Sequence, residues 1–119
     1  MKIFKITLIL VLVMCLQANL IMAEEYKMSS DPRLLEPKAS FEKGLEYIEK
    51  GDKAFRGRPG LAQKMYEHAE DYILKAEFLY KELGQRHGID VSHEVATCQR
   101  VYRQTHVKVN KSRKEARNR

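Results

Sequence analysis

Residues 60–83, "GLAQKMYEHAEDYILKAEFLYKEL", carry apolar or small side chains at positions 61, 65, 69, 72, 76, 79 and 83. The steps of 4, 4, 3, 4, 3 and 4 trace one stripe along a helix of about six turns. A second row, Ala62, Tyr66, Ile73 and Tyr80, lies beside it. A surface helix buries one stripe, whereas a helix with a neighbour on each side buries a wider face. The segment therefore reads as the middle helix of three.

The flanking segments supply the neighbours. A first helix is expected after Ser40, an N-cap residue type, with Glu42 in its first turn. Its apolar residues Phe41, Leu45, Ile48 and Phe55 fall at steps of 4, 3 and 7. The run "RGRPG" at 56–60 ends it, and Pro59 suits the opening turn of the next helix. Gly84 reads as the C-terminal stop of the middle helix, followed by the loop "GQRHGID". A third helix is expected from Ser92, with Val91, Val95, Cys98, Tyr102, Thr105 and Val109 as its seam. No stretch alternates with period two long enough to be a strand. The expected fold is all-α, with three antiparallel helices at about 40–56, 60–83 and 92–109.

The N-terminus has the layout of a secretory signal peptide: Lys2 and Lys5, then the uninterrupted apolar run "ITLILVLVMCL" at 6–16, and no further charge before Glu24. Cleavage is expected after Ala23, with Ile21 at the −3 position, and Ala18 is the rival. The 18 residues from Ile6 to Ala23 also fit an uncleaved membrane anchor, although Gln17 and Asn19 weaken the second half. A lipoprotein signal would use Cys15, but Met14 is too large for the position before it. A buried helix of the folded domain is disfavoured because the run has no polar face. Export to the periplasm or the extracellular space is the expectation.

Cleavage leaves 96 residues, enough for one domain with a modest core. They divide into a polar leader at 24–39, carrying Pro32 and Pro37 and expected to be flexible, the helical domain at 40–109, and a basic tail at 110–119. Residues 24–94 hold 12 Lys+Arg against 15 Asp+Glu, and residues 95–119 hold 8 against 1. The positive excess thus sits at the C-terminus, on Lys108, Lys111, Arg113, Lys114, Arg117 and Arg119. In an exported protein the anionic candidates are lipid headgroups, cell-wall polymers or an acidic protein face rather than nucleic acid. Beyond Val109 only Ala116 offers apolar surface, so residues 110–119 are expected to be solvated and dispensable for stability.

"GLEYIEKGD" (44–52) followed by "AQKMYEHA" (62–69) resembles one tetratricopeptide repeat, a helix–turn–helix unit. Gly44 and Tyr47 sit where that repeat has its first-helix glycine and aromatic, and Gly51–Asp52 match the "GD" of its turn. Ala62, Tyr66 and Ala69 match the small–aromatic–small pattern of its second helix. The resemblance implies close approach of two helices, with Ala69 opposite Gly44 or Gly51, and a protein-binding or scaffolding role. The spacing departs from the family: Gly51 to Ala62 is 11 residues where the repeat has 5, and no second full repeat is present. A three-helix bundle without repeat ancestry fits the same residues.

Catalytic constellations are missing from the pattern. The carboxylates lie in mixed solvent runs such as "EHAED", and there is no glycine-rich phosphate loop and no nucleophile elbow. His87 and His93 flank the second loop near Asp90 and Glu94, while His68 and His106 fall on helices. None has the spacing of a metal or haem signature, so they read as surface histidines. Cys98, the lone cysteine left after cleavage, reads as a core thiol, with an intermolecular disulfide as its alternative. The expectation is a module without catalytic activity or cofactor that binds a protein partner. The alternative is a protein held to an anionic envelope surface by its tail.

Overall fold

The computed structural model describes residues 25–119. The signal segment and its alternatives fall on residues outside that range. The described residues form a single 3-10 turn, Pro32–Leu34, and three α-helices, with no strand: α1 (Leu35–Ala54), α2 (Pro59–His87) and α3 (Ser92–Arg117). Both outer helices pack along α2 and barely approach each other. The order is antiparallel throughout. Ser40 Oγ donates to the Tyr72 carbonyl (2.8 Å) and Gly51 faces Tyr66 across α1 and α2, while Glu70 meets His106 and Gly84 meets Val91 across α2 and α3.

Helix α1 begins five residues before Ser40, in the segment expected to be a flexible leader. Asp31 opens the 3-10 turn that leads into it: its carboxylate accepts the Arg33 N–H (2.9 Å) and pairs with the Arg33 guanidinium (2.8 Å). Those bonds hold the Asp31 carboxyl down at about 2. Pro37, read as a breaker, occupies the first turn of α1, where its missing N–H has no intrahelical partner to lose. Ser40 is instead a buried contact to α2. Met28 and Leu34 are buried, and the Tyr26 ring meets the edge of Phe41 at 5.4 Å, so the leader closes one end of the core.

The buried row of α2 is Ala62, Tyr66, Ala69, Ile73, Ala76, Tyr80 and Gly84. It combines the row read as secondary with two alanines of the row read as primary. The remaining members of the primary row, Met65, Tyr72, Leu79 and Leu83, are half-buried, and Leu61 is exposed. The wide face has the expected cause. Tyr72 stacks on Tyr47 of α1 (5.5 Å between rings), while Glu70, on the opposite flank, lies 3.5 Å from His106 of α3.

Gly84 does not end α2. It is buried at the close approach of Val91, whose Cγ2 would lie 2.7 Å from a Cβ at that position. The helix ends at His87, and Gly88 takes the left-handed conformation (φ 65°) that L side chains resist. The Ile89 N–H then returns to the Gly84 carbonyl (2.9 Å), as in a Schellman cap.

Helix α3 starts at Ser92 as read, but its buried row is turned by about one residue. Glu94, Thr97, Cys98, Val101, Thr105, Val109 and Ser112 are buried, whereas Val91, Val95 and Tyr102 are half-buried. It also runs on to Arg117, where the sequence pointed to a solvated tail. Ser112 is fully buried and Ala116 half-buried, because α2 extends far enough back to give the last turns of α3 a surface. The main core joins Phe41 and Leu45 of α1, Ile73, Ala76 and Tyr80 of α2, and Cys98 and Val101 of α3. Each large apolar side chain there contributes about 1.5–3 kcal/mol by leaving water. A second cluster, Ala62, Tyr66 and Val109 with Ile48, Ala54 and Phe55, sits at the other end. Among the described residues no helix is long and apolar enough to cross a membrane.

Candidate functional site

The second cluster opens to solvent as a cleft between the end of α1 and the last turns of α3. Its volume is about 210 Å³, and Asp52, Phe55, Tyr66, Lys108 and Lys111 line it. It exists because of what stands opposite Tyr66. A Cβ on Gly51 would fall 2.5 Å from Tyr66 Cε1, so only glycine admits the ring at that depth. The ring then forms the floor of the cleft. Phe55, the first residue past α1, is half-buried beside it.

Polar contacts fix one wall. Tyr66 donates its hydroxyl to Asp52 Oδ1 (2.5 Å), and Lys108 Nζ donates to the same oxygen (2.8 Å). Lys108 also lies 5.7 Å from the centre of the Tyr66 ring. Burial, followed by the hydrogen bond to Asp52 and its negative charge, raises the Tyr66 pKa well above the ordinary phenol value, so the ring stays a neutral donor. Oδ1 of Asp52 thus accepts from two donors. Lys111 makes no hydrogen bond or ion pair among the described residues, which leaves the cleft with one uncompensated positive charge. Near the same end of the bundle, the Arg119 guanidinium donates to the carbonyls of Arg56 (2.5 Å) and Gly57 (3.5 Å) just past α1.

The packing residues picked from the sequence separate into three groups. Gly51, Ala62 and Tyr66 build the cleft. Gly44 and Ala69 meet farther along, where a Cβ on Gly44 would lie 2.6 Å from Ile73 Cδ1 and 3.4 Å from the Ala69 carbonyl oxygen. Tyr47 stays at the outer edge of the α1–α2 seam, against Tyr72 and His68, with Lys50 Nζ 4.9 Å from its ring. Gly51–Asp52, matched to a turn by the repeat pattern, lie inside α1, and the turn is 55–58.

The basic residues divide as well. Lys108 and Lys111 face the cleft and Arg119 reaches α1. Lys114 and Arg117 are exposed on the outer side of α3, and Arg113 contacts Asn110 (3.4 Å). Two residues of the cleft were not singled out as functional. Asp52 was read as a turn residue and Phe55 as core. The signal for both was available in the pairing of Gly51 with Tyr66, which places the neighbours of Gly51 at an edge.

The other groups with possible chemistry are engaged or separate. Among the described residues no three His, Cys, Asp or Glu side chains come together as a metal-ligand set. His93 Nε2 lies 2.8 Å from the Tyr26 carbonyl oxygen, and Asp90 Oδ1 accepts the Ser92 N–H (3.0 Å) at the start of α3. Cys98 is buried, and burial, with Glu77 and Glu94 nearby, pushes its thiol up to about 12.

No protein-family model, curated protein or solved structure matches this chain. The class that the described residues define is a three-helix all-α domain with a small, apolar-floored and positively rimmed cleft between the end of α1 and the last turns of α3.

Proposed function

We propose that the protein is a small exported helical protein-binding module without catalytic activity, and that the cleft at Phe55 and Tyr66 is where a partner docks. The observation that carries this reading is the cleft itself. It is concave, floored by aromatic rings, flanked by the outer helices, and framed by side chains whose mutual hydrogen bonds fix its shape. At about 210 Å³ it is smaller than the ~300–1,000 Å³ of small-molecule and cofactor sites, so it suits one side chain of a partner. Aromatic rings in such a setting are the residue types that dominate binding energy at protein interfaces. The close packing of Gly44 on Ile73 and Gly51 on Tyr66 is compatible with a single divergent tetratricopeptide-like hairpin, a scaffold for protein binding. The pattern of residues 2–23 supports export.

The test is site-specific photo-crosslinking. A benzophenone side chain at position 55 should join the full chain to a defined partner, and the same group at exposed position 64 should not. Equal labelling from both positions would refute the docking site.

A second reading, attachment to an anionic envelope lipid or polymer, draws support from the length of α3. Arg100, Arg103, Lys114 and Arg117 recur at helical spacing along the outer side of α3, with Val107 (61% exposed) among them. Adsorption to phosphatidylglycerol vesicles that is abolished by added salt and by the pair Lys114→Gln, Arg117→Gln would favour it over the first reading.

A further inference from the structure

We propose that the cleft reads the C-terminal residue of its partner, taking an apolar side chain onto Phe55 and Tyr66 and the terminal carboxylate onto Lys111. The inference rests on the docking reading above and adds the chemistry of the docked group. Three features of the cleft lead to it.

The first is capacity. A space of about 210 Å³ admits one side chain, and the cation on its wall is close enough for the same residue to meet it. The second is the floor. Tyr66 is buried to 2% exposure and its hydroxyl is bonded to Asp52, so at the floor it offers an occupant a narrow strip of ring and no free donor. Phe55 extends the same apolar surface. The third is charge. Asp52 already accepts from Tyr66 and Lys108, and Lys108 is held over the Tyr66 ring. The one cation of the cleft left to pair is Lys111, which sits on the wall formed by α3.

The occupant that best satisfies these features presents an apolar side chain and a single negative charge from one residue. Within a chain these properties belong to different residues, and adjacent residues of an extended strand point to opposite sides. At a chain terminus the carboxylate and the side chain share one Cα. Capture of a terminal carboxylate is also a recurrent mode of peptide recognition, and lysine serves it as a point charge.

The full chain is titrated with three fluorescein-labelled probes: a Gly/Ser hexapeptide ending in leucine as the free acid, its C-terminal amide, and an amidated hexapeptide carrying Glu-Leu internally. The free acid should bind about tenfold more tightly than either other probe. Lys111→Gln, an exposed substitution, should bring acid and amide to within about twofold of each other while leaving the amide unchanged. Lys114→Gln removes the same charge from the outer side of α3 and should preserve the preference. Acid and amide of equal affinity, an internal Glu-Leu probe as good as the free acid, or equal effects of Lys111→Gln and Lys114→Gln would each overturn the assignment. N-acetyl-leucine displacing the labelled free acid as efficiently as the unlabelled hexapeptide would reassign the cleft to a small carboxylic acid and overturn it too. Crosslinking at position 55 without discrimination between acid and amide refutes the terminal carboxylate alone. Loss of both crosslinking and peptide binding refutes the docking site with it.

Discussion

Replacing Gly51 with alanine sets two known effects against each other, and the structure decides the sign. In a helix interior the change gains about 1 kcal/mol, because glycine loses more backbone freedom on folding. Against it stands the Tyr66 ring. The new Cβ would lie 2.5, 2.7 and 2.8 Å from Cε1, Cδ1 and Cζ, where carbon contacts prefer about 3.5–4.0 Å. The ring must withdraw by about 1 Å or the backbones must part. Withdrawal strains or breaks the hydrogen bond to Asp52, about 1.5–3 kcal/mol for a charged acceptor, and parting the helices costs about 1–3 kcal/mol as overpacking. Either route matches or exceeds the propensity gain, so Gly51→Ala should destabilise by up to about 2 kcal/mol.

Gly60 is the matched control. It lies in the first turn of α2 with nothing within 4 Å of its Cβ position, and Gly60→Ala should stabilise by up to about 1 kcal/mol. Urea titration of the full chain, followed by far-UV circular dichroism, measures both. Each kcal/mol should also move the melting temperature by about 4–8 °C for a domain of this size. If Gly51→Ala stabilises as much as Gly60→Ala, the ring does not sit on Gly51 and the cleft described above is wrong.

Tyr80→Phe should stabilise by about 1 kcal/mol in the same titration, since the Tyr80 hydroxyl is fully buried without a hydrogen-bond partner; a loss of more than 1 kcal/mol would mean a partner had been removed. Stability should be level from neutral pH to about 9 and fall above it. The fold raises Tyr66 and Tyr80 above the ordinary 10.0 and Cys98 from 9.0 to about 12, so the unfolded chain releases these protons first, costing up to about 1.4 kcal/mol per pH unit for each group until its folded value is passed. A stability still level at pH 10.5 would contradict those environments. Cys98 in the native chain should react with a thiol reagent far more slowly than in urea, and non-reducing gels should show no dimer band; rapid native labelling would place it at the surface. Deleting residues 110–119 should lower stability by about 1–2 kcal/mol, because Ser112, Ala116 and the Arg119 contacts are lost and Val109 is uncovered, whereas deleting only residues 118 and 119 should shift melting by less than about 2 °C. Equal melting of the two truncations would make the last turns of α3 solvent-borne.

The helices themselves were legible because their periodicity is long and their punctuation strong. The three-helix reading and the start of α3 at Ser92 both agree with the structure. What the pattern misjudged was which row of each helix faces inward. In α3 the inward row includes Thr97, left off the expected seam, whose hydroxyl donates to the carbonyl of His93 one turn earlier (2.7 Å), as that of Thr105, which was on the seam, does to Val101. A buried hydroxyl satisfied within its own helix carries little penalty, yet in the sequence it looks polar and shifts the apparent seam toward Val95 and Tyr102. In α2 the inward row is built on Ala62, Ala69, Ala76 and Gly84, which let the backbones approach. Larger side chains such as Leu79 and Leu83 dominate a hydrophobic count, but they pack at the margins.

The end of α3 was misjudged for a related reason, and that error hid the site. Apolar content alone ends the helix at Val109, because "NKSRKEARNR" has almost nothing to bury. The helix continues because the antiparallel return of α3 carries it past the first turns of α2, where a serine fits under close packing and the end of α1 offers carbonyls to Arg119. Lys111 reaches the cleft through that continuation. Had α3 frayed after Val109, the small residues of the α1–α2 contact and the cations of the tail would have remained two unrelated features. The ordered last turns bring them within one cleft, so the same few residues that stabilise the end of the bundle also give that cleft its cationic wall.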